Sequence, residues 1–230
     1  MNSVAQQFAL MQLSDSFFPS GSFTFSHGLE SLVHTGQVQS IAEFQAFLKI
    51  LLHNRIATTD LVALTHAYRA SAVENLTEVQ RIDHLLFSQS LIQESREAQQ
   101  KGGRALLMVA GATWHNPQLD WIQTQIQSNL MHGLHPIVFA VVGHAANLSE
   151  RNTTFAFVHS FLTGLCGAAI RLGLLGHLAS QQVLKEISPE AEHIAIAAST
   201  ITLDEMQSCT LSIDIAQMLH RRQAQRLFTN

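Results

Sequence analysis

Residues 152–170 read NTTFAFVHSFLTGLCGAAI, a run with no Asp, Glu, Lys or Arg. An earlier run, from Trp121 to Ser149, is equally free of them. About 18 such residues reach the length of a membrane span, so the first decision is between a span and a buried central helix. The earlier run holds Gln123, Gln125, Gln127, Asn129, His132 and His135 and is broken by Pro136. The later one carries His159 in mid-helix and ends on Arg171. Polar groups at membrane depth are costly, and Gly164, Gly167, Ala168 and Ala169 allow the close helix approach that soluble cores also use. Both runs therefore read as core helices, with no membrane partner.

Working outward, the pattern stays helical. Ile41, Phe44, Leu48, Leu51 and Leu52 recur at three- and four-residue spacing, an amphipathic stripe. Ala57–Tyr68 and Val79–Phe87 look similar, with Asn75 or Thr77 as candidate caps. Leu91–Ala110 reads as one long helix, interrupted or loosened at Gly102–Gly103, and Trp114–Pro117 as a break. Leu119–Met131 and Ile137–Leu148 follow, separated by Gly133-Leu134-His135-Pro136. Then come Phe155–Gly173, Leu174–Ile187, a stretch near Ile194–Ile201 and a last one near Ser212–Arg222. No run alternates at period two for long enough to argue a sheet. The expected class is all-α, a single-domain helical bundle of about ten helices over residues 1–230.

Composition sets further bounds. The chain is 47% apolar and only 13% charged, with a net charge of −4. A chain of this length buries about 70% of its unfolded surface without needing disulfides. So little charge suggests burial in core and partner together, and mild acidity argues against nucleic acid. Cys166 and Cys209 make no disulfide framework or zinc pattern, and the N-terminus lacks the form of a signal peptide, so the expected location is cytoplasmic. Of thirteen histidines, most lie singly. The one close pair, His132 and His135, spans a turn and has no carboxylate nearby in sequence. No HExxH, paired-carboxylate, Walker A or nucleophile pattern appears, so no catalytic residue, cofactor or metal ligand is assigned. A helical metal-dependent enzyme using clustered histidines and a helical small-ligand-binding module both stay open as readings of these residues.

One loop is unusual. In Leu10–Val38, LMQLSDSFFPSGSFTFSHGLESLVHTGQV, a helical opening stops at Ser14-Asp15-Ser16 and Pro19 prevents its return. Phe17, Phe18, Phe23 and Phe25 follow within nine residues. Such a loop either packs onto the domain or serves as a contact surface. Helix resumes near Ser26 and ends at Gly36.

Leu13, Asp15, Pro19, Gly21, Phe23, Ser26, Gly28, Leu29, Glu30 and Gly36 also carry a resemblance. They fall where the N-terminal signature of the UreF family of urease accessory proteins has such residues. Glu94-Ser95-Arg96-Glu97 with Gly103-Arg104-Ala105-Leu106-Leu107 resembles that family's E-T-R-E and G-R-S-L-L; read plainly, Glu94, Arg96 and Glu97 would sit on a solvated helix face. His135-Pro136-Ile137-Val138-Phe139 resembles H-x-P-V-V-F. Arg171-Leu172-Gly173-Leu174-Leu175-Gly176-His177 parallels K/R-L-x-P-L-G-Q, with Gly173 and Leu174 in place of x-Pro and His177 in place of Gln. Asp214-Ile215-Ala216, Met218, His220 and Arg226-Leu227-Phe228 resemble the ending D-I-A-S-M-x-H-E…S-R-L-F, with Arg221 replacing Glu.

The resemblance implies a non-catalytic, all-α homodimer that takes part in nickel insertion into apo-urease. It would join the D/H-type accessory scaffold and recruit the G-type GTPase that carries nickel. Partner-binding residues implied by position are Phe23, Glu30, Arg171, Met218, His220, Arg226, Leu227 and Phe228, with residues 204–230 a segment ordered by the scaffold. The aromatic loop and the tail would then share one exposed face.

Overall fold

The computed structural model describes residues 3–19, 24–223 and 225–229 of the chain. In chain order its α-helices are α1 (Val4–Ser14), α2 (Leu29–His34), α3 (Ile41–Leu51), α4 (Leu61–Ala72), α5 (Leu76–Gln89) and α6 (Gln93–Thr113). They continue with α7 (Pro117–Gln127), α8 (His135–Ala145), α9 (Glu150–Arg171), α10 (His177–Ala198) and α11 (Leu211–His220). A π-helical segment, Leu52–Asp60, joins α3 to α4, and a 3-10 turn occupies Leu203–Glu205. There is no strand among the described residues. The all-α bundle expected from the periodicity is the fold observed.

The starts of the helices follow from side chains that satisfy their free backbone N–H groups. Ser3 and Ser40 form capping boxes with Gln6 and Glu43. Asn75 caps α5, the first of the two candidates for that position. Asn116 caps α7 with Pro117 at its first position, where a missing N–H costs nothing.

Helix α8 is the axis of the bundle. Every residue from Pro136 to Gly143 is buried, and α4, α6 and α9 pack around it. Its entry is held by Asp83 of α5. That buried carboxylate accepts the backbone N–H groups of His132, Gly133 and Leu134 at 2.6, 3.2 and 2.9 Å. By length and composition α9 alone, among the described residues, could cross a membrane. More than half of its apolar stretch is buried, against α1, α8 and α10.

Three local expectations change. Gly102 and Gly103 do not interrupt α6, which runs unbroken from Gln93 to Thr113. A Cβ on Gly103 would lie 2.0 Å from the Gly133 carbonyl oxygen, so this glycine permits close crossing rather than a break. The two helices expected around Ser188-Pro189 are one, α10, with Pro189 inside it. Pro189 cannot donate to the Lys185 carbonyl, and the Ser188 hydroxyl bonds that carbonyl instead at 2.9 Å. Finally, the helix expected from Ala57 begins as π-helix and continues α3 without a stop.

Candidate partner-binding site

Helix α2 is short and begins at Gly28, whose φ of +86° is in the left-handed region. A Cβ there would press on the Gln217 side chain at 3.1 Å and the Ile213 carbonyl at 3.2 Å. Glycine thus sets α11 directly across α2. Two residues on, Glu30 sits in the first turn of α2, where a carboxylate is favoured by the exposed N–H groups of the helix start. It is fully buried.

Glu30 is where the two ends of the chain meet. Its Oε1 accepts the Leu227 N–H at 2.6 Å, and its Oε2 accepts the Phe228 N–H at 3.1 Å. The His220 ring nitrogen Nε2 lies 2.7 Å from the same Oε2. Burial by itself raises this carboxyl group's pKa, but the bonds from Leu227, His220 and Phe228 outweigh it and hold Glu30 below the usual carboxylate value. Further stitches follow the same line. Thr229 N–H donates to the Thr24 carbonyl at 2.9 Å, and Gln223 Nε2 donates to Ser31 Oγ at 3.1 Å.

A second acid completes the corner. Glu94, at the start of α6, is buried, with Oε2 3.8 Å from His220 Nδ1 and Oε1 3.8 Å from Arg226 Nη1. The plain sequence reading of Glu94 as solvated is therefore corrected. Burial pushes its carboxyl up, against the pull of His220, Arg226 and Arg221. At the end of α9, Arg171 stacks over the buried Phe228 ring, with Cζ 4.2 Å from the centroid. Burial lowers the pKa of Arg171.

The residues singled out by resemblance thus divide into two groups. Glu30, His220 and Phe228 are buried and bind the tail to the body of the chain, with Arg171 resting on Phe228. Met218, Arg226 and Leu227 are exposed. Phe23 lies outside the described residues. Sequence reasoning missed Glu94 and the rest of the exposed face of α11: Leu211, Ile215 and Leu219 stand out from the surface beside Met218. Their spacing at four and three residues was the available signal, hidden because the opposite face, with Ile213 and Ala216, is apolar too.

The departures at Gly173 and Leu174 have a local account. Gly173, at φ +72°, terminates α9, and the Leu174 N–H donates to the Ala169 carbonyl at 3.0 Å, a bond proline could not make. Nothing in the structure explains His177. As for metal, no group of three or more His, Cys, Asp or Glu among the described residues is placed to hold an ion. His132 instead stacks on Phe87 at 3.6 Å.

Residues 38–188 match the protein family described as UreF. Over 227 residues the chain is 48% identical to the urease accessory protein UreF of Trichodesmium erythraeum, covering 99% of this chain and 98% of that relative. It is 30% identical over 220 residues to the protein of the same description from Geobacillus kaustophilus, covering 95% and 96%. It is 26% identical to that of Corynebacterium efficiens over 96% of this chain and 95% of the relative.

Proposed function

Because the chain belongs to the UreF family of urease accessory proteins, we propose that it serves urease maturation as a non-catalytic adaptor. In this reading it joins the D/H-type scaffold, recruits the nickel-carrying GTPase and works on apo-urease in the cytoplasm. The observation that carries the proposal is the Glu30 anchor. By holding the backbone of Leu227 and Phe228, it fixes a tail on which the Leu227 side chain is exposed and the Arg226 side chain, paired with Glu94, is partly exposed. Aromatic and arginine anchors supply most of the energy of protein interfaces, and fixing them in advance lowers the entropy lost on docking.

Two surfaces divide the work. The exposed apolar face of α11, with Leu211, Ile215, Met218 and Leu219, suits the scaffold. The tail beside Arg171 suits the GTPase. A third surface suits a second copy of the chain. Phe8, Met11 and Phe17 are exposed near α9, and space is open beyond Gly164 and Gly167. Co-expression with the scaffold and the GTPase, followed by size-exclusion chromatography, tests the adaptor reading. Co-elution of all three supports it, and elution of this chain apart from both partners refutes it.

A further inference from the structure

Four ionisable side chains stand in a row where the tail joins the body: Glu30, His220, Glu94 and Arg226. The first three are buried. They come from α2, the end of α11, the start of α6 and the tail, so the row ties all four together.

The first contact fixes one proton on the ring. Both Glu30 oxygens accept backbone N–H groups, and this carboxyl is held below its usual value, so it is ionised at neutral pH. An ionised carboxylate can only accept. His220 Nε2, 2.7 Å from Glu30 Oε2, therefore carries a proton and donates it.

The second contact is of another kind. His220 Nδ1 faces Glu94 Oε2 at 3.8 Å. Neither atom is in contact with solvent, and neither has a hydrogen-bond partner among the described residues. A neutral ring that donates through Nε2 presents a bare lone pair at Nδ1, and an ionised Glu94 would set a second acceptor against it. Two buried acceptors with no donor between them are costly. A proton on either atom removes the conflict. On Nδ1 it makes the charges alternate along the row, from Glu30 to His220, Glu94 and Arg226. On Oε2 it makes a carboxyl O–H that faces the ring.

The surrounding charges pull both ways on Glu94. Burial, the largest influence, raises its carboxyl; His220, Arg226 and Arg221 lower it, and Glu97 on its own helix raises it. From α9, Arg171 adds positive charge at Phe228.

We propose that Glu94 and His220 hold one proton between them at neutral pH, and that this proton is part of the lock that fixes the tail. It belongs to the pair rather than to either residue. Once it is lost, lone pair and carboxylate repel, and loosening the tail lets both reach water. The sign follows from Glu94, whose folded value is raised: its contribution is complete below the ordinary 4.5 and is lost as pH rises through the titration of the pair. Glu30 titrates in the opposite sense below 4.5, so the tail is fastened only within a bounded pH window. The consequence for partner binding rests on the adaptor reading; the proton itself does not.

Two measurements on the whole chain, without partners, test this. NMR of the protein labelled with carbon-13 and nitrogen-15 at pH 7 is expected to find one proton on the pair. It shows either as a ring protonated at both nitrogens or as a protonated Glu94 carboxyl. A ring bare at Nδ1 beside an ionised Glu94 overturns the proposal. In hydrogen exchange, protection of the Leu227 and Phe228 amides is expected to fall by up to about tenfold per pH unit on the alkaline side, once the proton leaves. Glu94→Gln offers Nδ1 an N–H that does not titrate, and it keeps an oxygen for Arg226. In that variant the alkaline fall should be absent. The same pH dependence in parent and variant overturns the lock, a result that a purely structural Glu94 would give. Should the variant fail to hold its tail at any pH, the NMR spectra of the parent decide alone.

Discussion

A carboxylate as deeply buried as that of Glu30 stays ionised only because two backbone N–H groups and a histidine ring converge on it. Remove the charge and the tail loses its anchor. Glu30→Gln keeps the volume but replaces one of the two acceptor oxygens with an amide NH2 donor, set against an N–H that then has no partner. Breaking a buried pair of this kind costs about 3–5 kcal/mol. The loss should fall on the tail, since α8 does not depend on it. Hydrogen exchange is therefore expected to speed up at the Leu227 and Phe228 amides while the amides of α8 stay protected. The pH dependence has a definite sign. Because its folded pKa is depressed below the ordinary 4.5, Glu30 contributes its full stability above that value and loses it as pH falls further. Protection of the two tail amides should hold from neutral pH down to about 4.5 and fade only below it. Residue by residue, sequence reasoning located Glu30 and His220 through resemblance but not their roles. Glu94 was hidden more thoroughly, because a Glu-Ser-Arg-Glu run on a helix looks solvated unless the tail that covers it is known.

At the scale of elements, periodicity was sufficient for the helices and failed where a neighbour decides. Glycines in a helix read as weak points, yet Gly103 is required by the Gly133 carbonyl that crosses it. Gly103→Ala must push that crossing apart, and a loss of about 3 kcal/mol in urea unfolding is expected. Pro189 poses the opposite case. Local rules end a helix before it, but Ile187, Ala191 and Ile194 continue one buried face across it and so outweigh the lost bond. Since Pro189 is exposed, Pro189→Ala should restore the bond to Lys185 without disturbing packing. A gain of about 1 kcal/mol, or a melting temperature higher by about 2–4 °C, is expected by calorimetry. The π-helical segment was not legible at all. Its apolar spacing is close to that of an α-helix, and Arg55 and Asp60 within it are buried and paired with each other.

For the whole molecule, the uncharged runs were the decisive feature: Pro136 to Gly143 of α8 are all buried, and more than half of the apolar stretch of α9 is. The same low charge, with the apolar surface around α1 and α9, underlies the expectation of a two-fold dimer burying about 2,000 Å². Light scattering should give twice the chain mass at micromolar concentration. The central claim is more specific: the tail, fixed by Glu30, presents Arg226 to the GTPase while α11 holds the scaffold. Its most direct test is the affinity of the scaffold-bound protein for the GTPase, compared between the parent chain and Arg226→Ala. An arginine anchor is worth about 2 kcal/mol, so binding should weaken about thirtyfold while scaffold binding and helical content are unchanged. If Arg226→Ala folds normally and binds the GTPase as tightly as the parent, the tail does not present the site and the account is contradicted.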